Sequence, residues 1–290
     1  MNVIEKVTRK SMVIRPSGRS TDYISPSFGH GCLLNCSYCY MKRHKPEGLD
    51  IATNTEEILT AIDHHAWFAD VEKPNQTHDQ YITYDISCNE DFALHLTKYH
   101  DWKKIFTFFR DHPRAMGSFA TKVVIPKLRD FEPKGKIRVR YSMMPQKYAD
   151  ILEPNTSSIL KRITDIPNLI SKGYEVHINF SPVIVTDGWL DEYRKLFQEI
   201  NRFTLADWVK PHVKAEVIFL THNVNKHLHN LDNQLPGEEF LWKPEIQEAK
   251  ISQYGGENIR YKHDLKAQYI KEWTKLHDEI IPWNTIRYIF

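Results

Sequence analysis

Cys32, Cys36 and Cys39 fall within eight residues, in the stretch Gly31-Cys32-Leu33-Leu34-Asn35-Cys36-Ser37-Tyr38-Cys39-Tyr40, and the 290-residue chain holds only one further cysteine, Cys88. Buried thiols scattered by packing do not cluster in this way. Three thiolates on one short loop suit a soft metal centre, and the spacing C-x-x-x-C-x-x-C lets the loop hold three irons of a [4Fe-4S] cube. The fourth iron is then open to a small chelating molecule. Two other readings of the loop stand beside this one. A zinc site would need a fourth ligand, for which His30 or His44 is near in sequence, and a disulfide would need an oxidising compartment. Of the fifteen histidines, none outside this neighbourhood has convincing metal-ligand spacing, and His64 and His65, being adjacent, point to different helix faces.

The elements that position these residues follow from periodicity. A first strand over Tyr23 to Gly29 delivers the cysteine loop at its C-terminal end. Asn54 caps a helix whose buried face is Ile58, Leu59, Ile62 and Ala66, with Glu57 in the capping-box position. A strand over Tyr81 to Ser87 leads directly to Cys88. Trp102, Ile105, Phe106 and Phe109 mark an amphipathic helix ending near Pro113. Ser118 to Ile125 and Lys136 to Ser142 read as strands joined by a short Pro-containing connection with a loop in place of a helix. Ile159, Leu160 and Ile163 open a helix expected to break near Pro167 and to close at Gly173. A strand over Tyr174 to Ser181, a helix over Trp189 to Phe203 and a strand over Val213 to Leu220 complete six strand units. Such alternation predicts an α/β fold with a parallel sheet, and a last helix runs from about Asp264 to Ile280. The predicted organisation is a lead-in over 1–22, the α/β body over 23–220 and a C-terminal extension over 221–290.

Composition bounds the function. With 41% hydrophobic residues the chain can bury a large core, and a net charge of +2 announces no nucleic-acid partner by itself. No stretch is apolar enough for export or membrane spanning, so a reduced, cytoplasmic protein is expected. Charge is uneven, however: between Lys122 and Lys147 eight Lys or Arg face two acids, Asp130 and Glu132. Such a stripe reads either as a solvated face or as a phosphate track.

The cysteine spacing, with an aromatic beside the third cysteine, resembles the signature of the radical SAM superfamily, and the chain in order resembles the spore photoproduct lyase family. The resemblance implies a partial (β/α)6 barrel with a small C-terminal extension, and chemistry gathered at the C-terminal ends of its strands. It implies that Cys32, Cys36 and Cys39 hold the [4Fe-4S] cluster, whose open iron binds S-adenosyl-L-methionine and yields a 5'-deoxyadenosyl radical. The substrate implied is DNA carrying a methylene-bridged thymine dimer, returned to two thymines. In the family a cysteine following the second strand quenches the product radical, and here Cys88-Asn89-Glu90-Asp91 occupies that place. Tyr38 and Tyr40 flank Cys39 as the tyrosines do that return the radical to the cofactor; packing of the cluster loop is their alternative role.

Cofactor-binding positions carried over by the resemblance are Glu90, Asp91, Lys122 and Ser142. Arg138, Arg140 and Tyr254 are the expected nucleic-acid contacts, with the N-terminal arginines. An external one-electron donor such as flavodoxin or ferredoxin is implied. Two departures stand out: the family's longer N-terminal region is largely absent, and its Arg-Tyr-Gly hairpin is Gln253-Tyr254-Gly255 here. Glu90 also replaces a smaller hydroxyl residue. Two further readings remain at this stage: a radical SAM enzyme acting on another modified nucleic acid or peptide, and a non-catalytic zinc-binding nucleic-acid module.

Overall fold

A computed structural model describes residues 4–45, 47–69, 77–98, 101–203, 206–251 and 256–290. In chain order the first half holds β1 (Ile4–Val7), β2 (Arg15–Pro16), β3 (Tyr23–Ile24), β4 (Gly29–Gly31), α1 (Met41–His44), β5 (Leu49–Ala52), α2 (Thr55–Phe68), β6 (Ile82–Asp85), α3 (Ala93–Lys98), α4 (Trp102–Asp111) and β7 (Ala115–Thr121). The second half continues with β8 (Ile137–Met143), α5 (Gln146–Leu152), α6 (Ile159–Ser171), β9 (Glu175–Val183), α7 (Trp189–Phe203) and β10 (Val213–Phe219). It ends with β11 (Thr221–His222), α8 (Val224–Asp232), α9 (Glu238–Leu241), β12 (Gln247–Ile251), β13 (Glu257–Tyr261), α10 (His263–Ile280) and β14 (Thr285–Ile289).

Eight strands hydrogen-bond in the order β14-β10-β9-β8-β7-β6-β3-β2. The pairs β3–β6, β6–β7, β7–β8 and β10–β14 are parallel. Six strands, β3, β6, β7, β8, β9 and β10, therefore follow one another along the sheet in sequence order, with helices in every connection but that from β7 to β8, the α/β arrangement of a partial (β/α)6 barrel. Between β7 and β8 there is only a 3-10 turn, Pro126–Asp130, as its prolines require. The strand β14 is an addition that the sequence does not announce: the C-terminal segment returns to pair with β10.

The chain divides into two compact units. The first comprises Met1–Leu33, Lys45–Tyr141 and Asp165–His177, and the second Leu34–His44, Ser142–Thr164 and Ile178–Phe290. These boundaries do not coincide with positions 22 and 220. In the first unit, α4 buries Trp102, Ile105, Phe106 and Phe109, the four positions spaced for one helix face. Phe106 stacks against Phe92 and packs on Phe119 and Phe131. Asn54 precedes α2 without capping its backbone. Its amide instead exchanges hydrogen bonds with the main chain of Arg9 and donates to Glu57, tying the lead-in to the helix.

In the second unit Trp273 of α10, Phe197 of α7 and Phe180 of β9 form an aromatic core. The helix α6, which crosses between the units along the chain, is continuous through Pro167 and stops before Gly173, whose positive φ ends it. The expected break at Pro167 does not occur. The second unit also carries a small antiparallel sheet in the order β11-β13-β12, with α8 and α9 beside it in sequence.

Candidate active site

In the first unit the site begins where β4 ends. Gly31 has φ +105, a backbone conformation that a side chain rarely adopts, and a Cβ there would meet the Gly48 carbonyl at 2.6 Å. The Gly31 N–H donates to the Asn89 carbonyl at 3.0 Å, so the entry to the cysteine loop is bonded to the residue after Cys88. Cys32 is half-buried and packs with Leu33 on Leu49, Ile51 and Leu94.

Cys88 lies in the tight turn that follows β6. The Glu90 N–H donates to the Ser87 carbonyl, the Ser87 N–H to Asp85, and the Ser87 hydroxyl accepts from the Ala120 N–H at the end of β7. The thiol is half-buried. Two carboxylates hold this turn. Asp91 accepts from the Thr121 hydroxyl at 2.7 Å, the Lys122 N–H at 2.8 Å and the Ala93 N–H at 3.0 Å. It thereby joins the end of β7 to the start of α3. Burial pushes its carboxyl up, and the Lys122 charge opposes that shift.

Glu90 turns inward. Its side chain is 1% exposed, its Oε2 lies 2.7 Å from His95 Nε2, and it occupies the space where a Gly29 side chain would be, since a Cβ there would sit 2.0 Å from Oε2. Burial raises its carboxyl above the usual range, partly offset by His95. Both carboxylates are thus engaged inside the unit. Lys122, partly exposed at the end of β7, keeps a position suited to a direct cofactor contact.

Arg138 and Arg140 are also engaged inside the unit. Arg138 is 0% exposed and donates to Glu175 and to the Thr77 carbonyl, while Arg140 donates to Asp85 and Ser118. All of β8 is buried, because a parallel sheet is covered on both faces. The alternation of Arg with apolar residues marks two buried faces, not one wet face. Lys136, also buried, donates to the His112 carbonyl. The part of the basic stripe on and just before β8 is therefore internal, whereas Lys127, Arg129, Lys134 and Lys147 are exposed. Polar groups of the first unit do line a 390 Å³ cleft beside this turn: Arg9, Arg15, Ser25, Ser27, His30 and Asn89.

In the second unit lie Cys36, buried, and Cys39, half-buried, joined by the bond from the Cys39 N–H to the Cys36 carbonyl at 3.1 Å. Asn35 just before them has φ +65, a conformation that asparagine tolerates better than most residues. Every polar group of Ser37 is held: its N–H by the Leu152 carbonyl, its hydroxyl by the Pro236 carbonyl and its own carbonyl by the Asn230 amide. The Lys226 ammonium donates to the Tyr38 carbonyl at 3.1 Å. The Tyr38 hydroxyl donates to Glu153 in a short contact, and burial, then the Glu153 charge, push the phenol well above its ordinary range. Glu153 in turn accepts from Arg162, which also donates to the Ser142 carbonyl at 2.6 Å. Ser142 is buried at the end of β8, whereas Tyr40 is 43% exposed. Tyr254 lies outside the described residues, in the connection between β12 and β13.

The chemistry of the thiols fits the group that their spacing suggests. All are free cysteines, and short spacers with a left-handed residue curl the loop that carries three of them. What the sequence did not show is the support under that loop, above all Glu153, Arg162, Lys226 and Asn230. A second cluster also went unnoticed: His222, His227 and Glu238 bring one potential ligand atom each within 4.8 Å of the others. Its histidines are five positions apart, a spacing that becomes meaningful only across a strand–helix junction.

A family profile described as spore photoproduct lyase matches residues 3–290. The spore photoproduct lyase of Bacillus subtilis strain 168 is 26% identical over 97% of this chain and 80% of its own length. That of Clostridium acetobutylicum is 25% identical over 94% and 77%. A solved spore photoproduct lyase complexed with dinucleoside spore photoproduct superposes with a TM-score of 0.87 at 20% identity, over 99% of this chain and 82% of that one. Among the described residues no helix is long and apolar enough to cross a membrane.

Proposed function

The chain belongs to the spore photoproduct lyase family, and from that premise we propose that it is a radical SAM carbon–carbon lyase returning a methylene-bridged thymine dimer in DNA to two thymines. The observation that carries this reading is the bond from Gly31 to Asn89, which fastens the turn of Cys88 to the start of the cysteine loop. A relative has been solved with the dinucleoside spore photoproduct, and another with S-adenosylmethionine as well, which supports the same substrate class and cofactor here.

Cys32, Cys36 and Cys39 are the residues that would hold a [4Fe-4S] cluster, leaving one iron for S-adenosylmethionine. When bound, this pair supplies the 5'-deoxyadenosyl radical that takes a hydrogen atom from the lesion. Lys122 suits the methionine carboxylate as a point charge at a strand end. Ser142 is assigned to the cofactor side on its strand-end position alone. Glu90 and Asp91 are placed on the cofactor side as well, at a turn that they also fix.

Cys88 gives the hydrogen of its S–H to the thymine product radical, forming the product C–H bond and leaving the unpaired electron on sulfur. A hydrogen atom from the O–H of Tyr38 or Tyr40 then restores the thiol, which leaves the unpaired electron on the phenol oxygen to be returned to the cofactor. Tyr38 is held in one place by Glu153, and Tyr40 is solvent-facing, so the two would serve different steps of that return. With Arg138 and Arg140 buried, the phosphate contacts fall to the cleft of Arg9, Arg15 and His30. Tyr254 is kept as a stacking contact on a base. An external one-electron donor completes the scheme, and the protein would work in a reducing cytoplasm.

The test is an anaerobic assay after reconstitution with iron and sulfide. With dithionite and S-adenosylmethionine, conversion of the methylene-bridged dimer to thymines is expected. Formation of 5'-deoxyadenosine with the dimer untouched would place the enzyme on another substrate.

A further inference from the structure

The second unit holds a polar cluster that the lyase chemistry does not use. His222 ends β11, His227 lies in the first turns of α8, and Glu238 opens α9. His222 Nε2 is 2.9 Å and His227 Nδ1 2.5 Å from the same oxygen of Glu238, Oε1. The other carboxylate oxygen accepts from the Asn230 amide at 2.5 Å, so the carboxylate cannot swing away. His227 stacks on Trp242 with ring centroids 4.1 Å apart, which fixes the plane of its imidazole. His222 is fully buried, and its Nδ1 has no hydrogen-bond partner among the described residues.

We propose that His222, His227 and Glu238 bind one zinc ion. Two imidazoles and a carboxylate form a donor set that zinc takes up with ligand bonds of about 2.0–2.2 Å. Three atoms within 4.8 Å of one another close on such an ion with small side-chain shifts. Burial lowers the pKa of His222, which favours the neutral ring that ligates. His227 keeps some exposure, which leaves room for water as a fourth ligand. Asn230, bonded at once to Glu238 and to the Ser37 carbonyl, is the outer support that such sites use to orient a ligand.

The consequence reaches the cysteine loop. Lys226 and Asn230 of α8 and Pro236 before α9 are among the groups that hold Ser37 and Tyr38. An ion joining β11, α8 and α9 locks these three supports in one arrangement. Its role is to brace the segment of Cys36 and Cys39 before the cluster is loaded, and it takes no part in the radical steps.

Metal analysis of the anaerobically reconstituted full-length protein tests this, after equilibration with zinc salt alone and removal of loosely held metal. The expected result is about one zinc beside about four irons per chain. His222→Gln and His227→Gln lower the zinc to background, and Cys36→Ser lowers iron but keeps zinc. In Cys36→Ser protein, cobalt(II) is expected to give the visible absorption of a low-symmetry site, lost again when His227→Gln is added. A wild type without zinc overturns the proposal. So does zinc that disappears with Cys36→Ser and survives His227→Gln, because the metal would then sit on the cysteines. None of these readouts depends on lesion turnover, so failure of the lyase assignment and failure of this site are separately visible.

Discussion

The turn of Cys88 and the segment of Cys36 and Cys39 are both short, irregular and rich in reactive side chains, but they are held in opposite ways. The turn is fixed by neighbours in the same βα unit or the next one: Ser87, Asp91, Thr121 and the buried Glu90. The cysteine segment is fixed by groups that arrive from far along the chain, with Pro236 lying 199 residues from Ser37. A small thiol proposed to meet a radical at one distance is served by a rigid local turn. A loop that must accept a metal cluster after folding is served by a scaffold that can form first. The two regions should therefore respond differently to the removal of a single partner.

The largest effect is expected at the distant support. Arg162→Met leaves Glu153 buried beside Tyr38 with its cation gone, which should cost about 3–5 kcal/mol in denaturant unfolding. A smaller cost than that of Asp91→Asn would reverse the comparison. Asn230→Ala removes the donor to both Ser37 and Glu238, with an expected cost of about 1–3 kcal/mol and a lower iron content after reconstitution. Asp91→Asn loses acceptor capacity toward Thr121 and Lys122 and should cost about 1–2 kcal/mol, with iron content unchanged and product yield reduced because the turn loosens.

The smallest effect belongs to Glu90→Gln. Its carboxyl is raised by burial, so the folded state binds the proton more tightly than the unfolded chain. The group then favours the folded state at pH below the ordinary glutamate pKa, and that contribution is lost as pH rises through the folded value. Glu90→Gln should change stability little at low pH and flatten the fall above it, as read from unfolding midpoints across a pH series. An unaltered pH slope would mean that Glu90 ionises freely in its buried place.

Much of the fold was legible because its signals are local. The spacing of Trp102, Ile105, Phe106 and Phe109 defines one helix face, and the same four side chains are buried. The Pro-containing link after β7 lacks a regular helix for the reason its prolines give. Elsewhere context decides what the sequence alone does not show. Pro167 sits inside α6 without breaking it. Arg138 and Arg140 alternate with apolar residues as on a half-exposed strand, yet Glu175 and Asp85 neutralise them in a sheet covered on both faces. Glu90 occupies the position of a family ligand, but the absence of a side chain on Gly29 lets its carboxylate fold inward. The reactive cysteines could be read from spacing alone. The side chains that hold them could not, since Asn230 or Arg162 looks like any other polar residue until the chain brings it to Ser37 or Glu153.

The central claim is that Cys88 delivers the closing hydrogen atom. A thiol proton exchanges with solvent, so turnover in deuterium oxide should place deuterium in a repaired thymine, measured by mass spectrometry under anaerobic single-turnover conditions. Wild-type enzyme is expected to yield thymine carrying that label, and Cys88→Ala to lose it while diverting the product radical to other adducts. Equal labelling and equal thymine yield from Cys88→Ala would contradict the account.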